Sequence, residues 1–145
     1  MHGMTGVRGV TGYTYRFPLP PHPIAAEQAR IVTRLALDTW DMDGIADDAL
    51  LIVAELVTNA MKIGDVFHLT LSCQGDTVLI EVSDGSEAIP DPQQQSLSRV
   101  DGRGLLLVEA CSKDWGWRLE DDGGKTVWAL CADTKPYKPA VQNAL

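Results

Sequence analysis

The sequence has few cysteines, no long apolar run and fewer basic than acidic residues, and each shortage excludes a class of protein. Cys73, Cys111 and Cys131 are isolated thiols without a CxxC spacing, which argues against a disulfide framework or a closed zinc site and favours inert core cysteines. Nowhere do 18 consecutive apolar residues occur, and the segment from Met1 to Pro20 has no signal-peptide pattern. We therefore expect a cytoplasmic protein with no membrane partner.

The charge balance also limits the partners. The formal net charge is -8 and the sequence pI is about 4.7, so the long-range field repels nucleic-acid phosphates, and we expect no direct nucleic-acid binding. Hydrophobic residues make up 45% of the 145 residues, as in an ordinary single globular domain.

Composition along the chain predicts three parts. Residues 1 to 12 contain four glycines and little periodicity, which indicates a flexible lead. Residues 13 to 132 carry the periodic segments and form one domain. Residues 133 to 145 are expected to be a tail.

Apolar spacing predicts three helices, over residues 24 to 40, Ala49 to Met61 and Gly104 to Ser112. Asp47 and Asp48 are expected to cap the second helix. In the first helix we place one group of residues toward the core and another toward solvent. The core group is Ile24, Ala25, Ala29, Val32, Leu35, Ala36 and Trp40; the solvent group is Gln28, Arg30, Thr33 and Arg34.

Alternating segments predict five strands, namely Tyr13 to Phe17, Val66 to Cys73, Thr77 to Ser83, Trp115 to Glu120 and Thr126 to Cys131. Hairpin turns join the second to the third and the fourth to the fifth, and a long loop spans Asp84 to Asp101. This order indicates an α+β fold, a two-layer α/β sandwich. Its sheet is mixed but mostly antiparallel, with three helices on one face.

Glu55 and Asn59 interrupt the most apolar helix four residues apart, so their side chains share one face. An unpaired carboxylate or amide there would cost about 1–3 kcal/mol. The pair therefore faces a ligand, or it bonds to Thr58 or to a loop, and the helix alone leaves both interpretations open.

Three other segments carry polar or glycine-rich patterns at element ends. Asp84 leaves the end of an apolar strand before a glycine and either accepts a bond from an adenine amino group or simply forms a turn. Gly102-Arg103-Gly104-Leu105 begins a helix, where free amides can cradle phosphate oxygens. Thr126 either contacts a purine edge, directly or through water, or is only a β-favouring strand residue.

Four segments, taken in order, resemble the GHKL (histidine-kinase-like) ATPase superfamily, whose ATP-binding fold is called the Bergerat fold. They are Glu55-Leu56-Val57-Thr58-Asn59-Ala60, Val82-Ser83-Asp84, Gly102-Arg103-Gly104-Leu105 and Gly124-Lys125-Thr126-Val127-Trp128. The compact length and the Gly-Arg-Gly-Leu and Gly-Lys-Thr-Val-Trp segments look most like the stand-alone anti-sigma factor serine/threonine kinase branch found in bacteria.

The resemblance implies roles for individual residues, with ATP and Mg²⁺ as cofactors. Asn59 would coordinate Mg²⁺, Asp84 would recognise the adenine amino group, and Glu55 would be the general base. Lys62 would reach a phosphate or, alternatively, interact with the helix dipole at a solvated helix end.

The resemblance implies a different role for each part of the glycine-rich segment. Gly102 and Gly104 would approach the phosphates. Arg103 would contact the nucleotide or the partner, and Leu105 would pack against the base or the core.

The resemblance further implies a regulator that binds a sigma factor and phosphorylates an anti-anti-sigma antagonist, with a possible homodimer through the first strand and helix. One alternative is a partner-switch module that holds ATP without turnover. A detached histidine-kinase catalytic domain ranks last, because His2, His22 and His68 lie in no dimerisation-helix pattern.

Overall fold

The computed structural model describes residues 5–8, 12–88 and 104–133. The predicted tail beyond Asp133, most of the predicted long loop, and both Gly102 and Arg103 lie outside these ranges. None of the helices in the described ranges is both long and apolar enough to cross a membrane.

The described residues form three α-helices, one short 3₁₀ turn and six strands. The helices are α1 (Ile24–Thr39), α2 (Ala46–Met61) and α3 (Gly104–Cys111), and the 3₁₀ turn is Asp43–Ile45. The strands are β1 (Thr5–Arg8), β2 (Gly12–Leu19), β3 (Phe67–Gln74), β4 (Thr77–Asp84), β5 (Asp114–Leu119) and β6 (Lys125–Ala132). The three predicted helices and five predicted strands are present within a few residues of their expected bounds.

The six strands form one sheet in the order β1-β2-β3-β4-β6-β5. Every pairing among them is antiparallel, from Thr5↔Arg16 at one edge to Leu119↔Lys125 at the other. The expected α+β architecture, a sheet with helices packed on it, is confirmed. The expectation of some parallel pairing is not met within the described strands.

The helices cover one face of the sheet, which strand alternation identifies. Phe67, Leu69 and Leu71 of β3, and Val78, Ile80 and Val82 of β4, are buried at every second position. On this face α2 packs against β4 and β6 and also against α1 and α3, so it is the central helix of the layer. The intervening strand positions face the other side, which we call the open face.

Strand β1 corrects the expectation that residues 1 to 12 are only a flexible lead. Thr5–Arg8 pairs along its whole length with Tyr13–Arg16 of β2. The segment Thr-Gly-Val-Arg has no alternation to distinguish it. Its extended conformation therefore depends on the edge that β2 offers.

The start of α2 also differs from the expectation. The helix begins at Ala46 after the 3₁₀ turn, and its N-cap residue, Ile45, makes no side-chain capping bond. Asp47 and Asp48 thus lie inside the first turn and are not caps. Their carboxylates still stabilise the helix, because the N-terminus carries partial positive charge.

The faces of α1 are rotated relative to the expectation. Its buried positions are Ala25, Ala29, Thr33, Ala36 and Leu37, whereas Ile24, Ile31 and Leu35 are 48–56% exposed. The small alanines allow the helix to approach its neighbours closely, and Thr33 lies in the same stripe. The apolar pattern was ambiguous because α1 has two apolar stripes, and the one with the larger side chains faces outward.

We expect Thr33→Val to raise the free energy of unfolding by about 1 kcal/mol, because it removes a buried hydroxyl whose loss of hydration is not offset by a hydrogen bond. Thr33 is 1% exposed, and its Oγ1 has no hydrogen-bond partner among the residues that the structure describes. Valine has nearly the same shape and helix propensity. Urea denaturation measures the change.

The matched control is Thr39→Val on the same helix. The Thr39 hydroxyl is exposed and donates to the Leu35 carbonyl oxygen at 2.8 Å. This control should stay within about 0.5 kcal/mol of the parent protein. A loss of stability in Thr33→Val would show that the Thr33 hydroxyl has a partner.

Candidate functional site

Asp84 is the last residue of β4, on the face that the helices cover. Its Oδ1 accepts a hydrogen bond of 2.8 Å from the backbone N–H of Ser86. This bond, from a side chain to the backbone two residues later, is the Asx turn typical of aspartate at a strand end. The turn fixes the carboxylate where the chain leaves the sheet.

Lys125 is the first residue of β6 and lies directly opposite Asp84 in the sheet. Its Nζ donates to both carboxylate oxygens of Asp84 at 3.0 Å. The two side chains are only 9% and 6% exposed. A lysine this buried is unusual, and its charge is tolerated because the carboxylate compensates it.

Gly124 precedes Lys125 and lies against the backbone of Asp84. A Cβ on Gly124 would be 2.2 Å from the Asp84 carbonyl oxygen, far inside contact distance. Only glycine permits this approach of the two strands. Gly124 therefore sets the position of the ion pair that follows it.

Glu55 and Asn59 lie four residues apart on α2, and both are half-buried. Since α2 packs against β4 and β6, the helix that bears this pair covers the sheet face that holds Asp84 and Lys125. Lys62 follows the end of α2 as its C-cap residue and is exposed. Both interpretations of Lys62 stay open.

The glycine-rich segment is only partly described. Gly104 is the first residue of α3, and Leu105 beside it is 1% exposed within the core. Leu105 thus packs in the core, one of its two expected roles. Because α3 packs against α2, the helix N-terminus that follows the glycines belongs to the same layer as Glu55 and Asn59.

The hydroxyl of Thr126 lies on the open face, where its hydrogen-bond partners are Ser83 and Glu120. Thr126 donates to Glu120 Oε2 at 2.5 Å, and Ser83 then donates to Thr126 at 2.8 Å. Ser83 and Thr126 are paired across β4 and β6, one position away from Asp84 and Lys125. Because successive side chains of a strand point to opposite faces, Lys125 and not Thr126 accompanies Asp84.

A groove of about 700 Å³ lies on the open face, and Asp84 is among the residues that line it. Arg118 lies in it and donates to Glu81 at 2.8 Å and to Glu120 at 3.1 Å. The hydrogen bond that Arg118 donates to Glu81 is the main reason that the pKa of Arg118 is raised. Burial and the nearby Arg16 charge lower the pKa of His68 in the same groove.

Sequence reasoning missed Lys125 as a site residue. The sequence alone leaves both Lys125 and Thr126 as candidates, because either could share the aspartate's face until the register of β4 with β6 is known. Strand alternation then selects Lys125 over Thr126, since Val127 and Ala129 are both buried under the helices.

The described thiols and carboxylates form no metal cage. In the ranges given above, no group of three or more His, Cys, Asp or Glu side chains could hold a metal ion. Cys131 is buried, but Cys73 and Cys111 are only half-buried, and burial raises the pKa of the Cys73 thiol.

Comparison with known proteins agrees with this geometry. A family model described as "Histidine kinase-like ATPase domain" matches residues 19–130, which include α1, α2, α3 and most of the sheet. No curated protein matches the chain closely enough to count as a relative.

Proposed function

This chain belongs to the histidine kinase-like ATPase family, within the GHKL superfamily, and from that premise we propose that it is an anti-sigma factor with protein serine kinase activity. It is an ATP-binding domain, and ATP binding in this family usually requires Mg²⁺. The proposed partners are a sigma factor and an anti-anti-sigma antagonist. Such a role is a cytoplasmic one in a bacterium.

One observation carries the proposal: Glu55 and Asn59 are side by side on α2, the helix packed over the strands that bear Asp84 and Lys125. Asn59 supplies an oxygen ligand for Mg²⁺. Since Mg²⁺ at nucleotide sites keeps several waters and takes few protein ligands besides phosphates, a single amide suits it without a carboxylate cage.

Asp84 is proposed to recognise the adenine amino group. A carboxylate has about four acceptor positions. Among the described residues, Asp84 uses three of them, one for Ser86 N–H and two for Lys125 Nζ. The remaining position can accept a base amino group, so the residues present fit the nucleotide.

Glu55 is proposed to act as the general base in the transfer. It accepts the proton of the antagonist serine hydroxyl while the serine oxygen bonds to the γ-phosphorus of ATP and the bond to the ADP oxygen breaks. Glu55 lies one helical turn before Asn59, so the base and the metal ligand point the same way. Only this transfer step needs Glu55.

The phosphates are proposed to lie at the start of α3, where amides of the segment Gly102 to Leu105 would cradle them. Gly104 begins the helix. Arg103 would contact the nucleotide or the partner. Lys62, exposed after the end of α2, would reach a phosphate across the pocket.

A homodimer is part of the proposal. Ile24, Ile31 and Leu35 form the outward stripe of α1 and are spaced seven and four residues apart, a pattern typical of paired helices. The net charge of -8 continues to argue against direct nucleic-acid contact.

The decisive experiment is a calorimetric titration of ATP into the wild-type protein and Asn59→Ala, with and without Mg²⁺. The variant should lose about 10- to 100-fold in Mg-ATP affinity, as expected for one contact to a charged group. Gln28→Ala, an exposed amide on α1, is the matched control and should bind normally. Equal affinities for Asn59→Ala and wild type would contradict the Mg²⁺ role.

Phosphoryl transfer is tested separately with a candidate antagonist and radiolabelled ATP. Glu55→Gln should bind ATP normally and transfer no phosphate to serine. Intact ATP after long incubation of the wild type with its antagonist would instead favour the non-catalytic partner-switch module.

A further inference from the structure

Lys125 shares a buried carboxylate with the proposed adenine site, and we propose that it is a base-recognising residue that donates a hydrogen bond to adenine N1. The inference rests on ATP lying against Asp84. It does not depend on the sigma factor, the antagonist or phosphoryl transfer.

The position of the Lys125 ammonium group is well defined. Its Nζ lies 3.0 Å from both oxygens of Asp84, and Asp84 is itself anchored by the Ser86 N–H. Both side chains are at least nine-tenths buried. The ammonium group therefore stays beside the carboxylate and does not move out toward solvent.

Counting donors and acceptors shows what the pair can still bind. An ammonium group has three N–H donors, and in the part of the chain that the structure describes Lys125 uses two of them, both on Asp84. Asp84 keeps one acceptor position by the same count. The pair thus offers one acceptor and one donor side by side.

The Watson–Crick edge of adenine has the complementary pattern, because its 6-amino group donates and its neighbour N1 accepts. A 6-oxo purine such as guanine or hypoxanthine carries an acceptor at position 6 and an N–H at position 1. In the same orientation these groups would oppose the Asp84 carboxylate and the Lys125 ammonium group. Two groups fixed by one ion pair would therefore select adenine by both atoms.

Nucleotides altered at single atoms test this on the wild-type protein. The probes are Mg-ATP, 1-deaza-ATP, which lacks the N1 acceptor, and purine riboside triphosphate, which lacks the 6-amino group. Calorimetry should show each analogue binding about 10- to 100-fold more weakly than ATP, the usual loss for a hydrogen bond to a charged group. Equal affinities for ATP and 1-deaza-ATP would overturn the role of Lys125.

The variant Lys125→Met tests whether the lysine makes the contact with adenine N1. It should bind ATP and 1-deaza-ATP equally, while still preferring ATP over the analogue without the amino group. Lys125→Arg, which retains the charge and the donors, should still distinguish N1. The ratio of affinities is measured, so a general weakening of the variant does not affect the conclusion.

Three results would contradict the inference. One is tighter ATP binding by Lys125→Met, because the lysine would then compete with the base for Asp84. The others are an unchanged preference for ATP over 1-deaza-ATP in that variant and no ATP binding by the wild type. If Lys125→Met does not fold, Lys125→Arg and the wild-type analogue series still decide. If the wild type distinguishes N1 but does not prefer ATP over the analogue without the 6-amino group, the proposed contact between Asp84 and the base is wrong. The role of Lys125 would not be contradicted by that result.

Discussion

Lys125→Met is expected to lower the free energy of unfolding by about 3–5 kcal/mol, the usual cost of leaving one charge of a buried ion pair without its partner. The Asp84 carboxylate would remain 6% exposed with a single backbone donor from Ser86. Urea denaturation at pH 7 without nucleotide measures the loss. Lys113→Met, at an exposed position before β5, should change stability by less than about 0.5 kcal/mol.

The double variant Asp84→Asn/Lys125→Met separates the charge from the packing. Asparagine has the shape of aspartate and can still accept from Ser86 N–H, but it carries no charge to compensate. Replacing both members of a buried pair is often nearly neutral. The double variant should therefore regain more than half of the stability that Lys125→Met loses. A double variant that is less stable than the single one would show that the pair itself stabilises the fold.

This cycle also bears on function, because Asp84 serves both the sheet and the proposed base site. Lys125 lies directly across the ladder from Asp84 and holds its buried carboxylate. A carboxylate in that position needs no rearrangement before a base arrives. Part of the folding free energy thus goes into positioning Asp84 for the proposed nucleotide site.

The sequence predicted the elements whose signals are local. Strands β3 and β4 alternate buried and half-buried positions, and α2 buries Ala49, Ile52, Val53, Leu56, Val57 and Ala60. A sheet covered by helices follows from these patterns and their order. The same local signals placed Glu55, Asn59 and Asp84 on elements that pack together.

What the sequence did not predict depends on contacts between distant segments. Strand β1 exists because β2 offers an edge, and no property of Thr5–Arg8 indicates it. The burial of Thr33 depends on which of two apolar stripes of α1 meets α2. Asp47 and Asp48 became first-turn residues because a 3₁₀ turn starts the helix earlier.

In the candidate site, too, local signals could be predicted from the sequence and contacts between distant segments could not. Motif order located Asp84 and the segment around Gly124, but the choice between Lys125 and Thr126 requires the register of β4 with β6. A shift of one residue would exchange the two side chains between faces. The observed register puts the hydroxyl with Ser83 and Glu120 and puts the ammonium group with Asp84.

Gly124→Ala is expected to lower the free energy of unfolding by about 2–4 kcal/mol, because a methyl group would be forced into backbone. The nearest atom to its Cβ would be the Asp84 carbonyl oxygen at 2.2 Å, followed by the Asp84 carbonyl carbon and the Gly85 Cα at 3.2 Å. No side chain can rotate away to make room. Strands β4 and β6 must separate at the point where Lys125 meets Asp84.

Gly85→Ala is the matched control, since it alters the neighbouring glycine with nothing within 4 Å of the added Cβ. It should keep the stability of the parent protein within about 0.5 kcal/mol. If separation of the strands also disrupts the ion pair, combining Gly124→Ala with Lys125→Met should cost less than the sum of the two single changes, because both act on one contact. Full additivity would show that Gly124 supports the sheet independently of Lys125, and the coupling between backbone approach and base site would then be wrong.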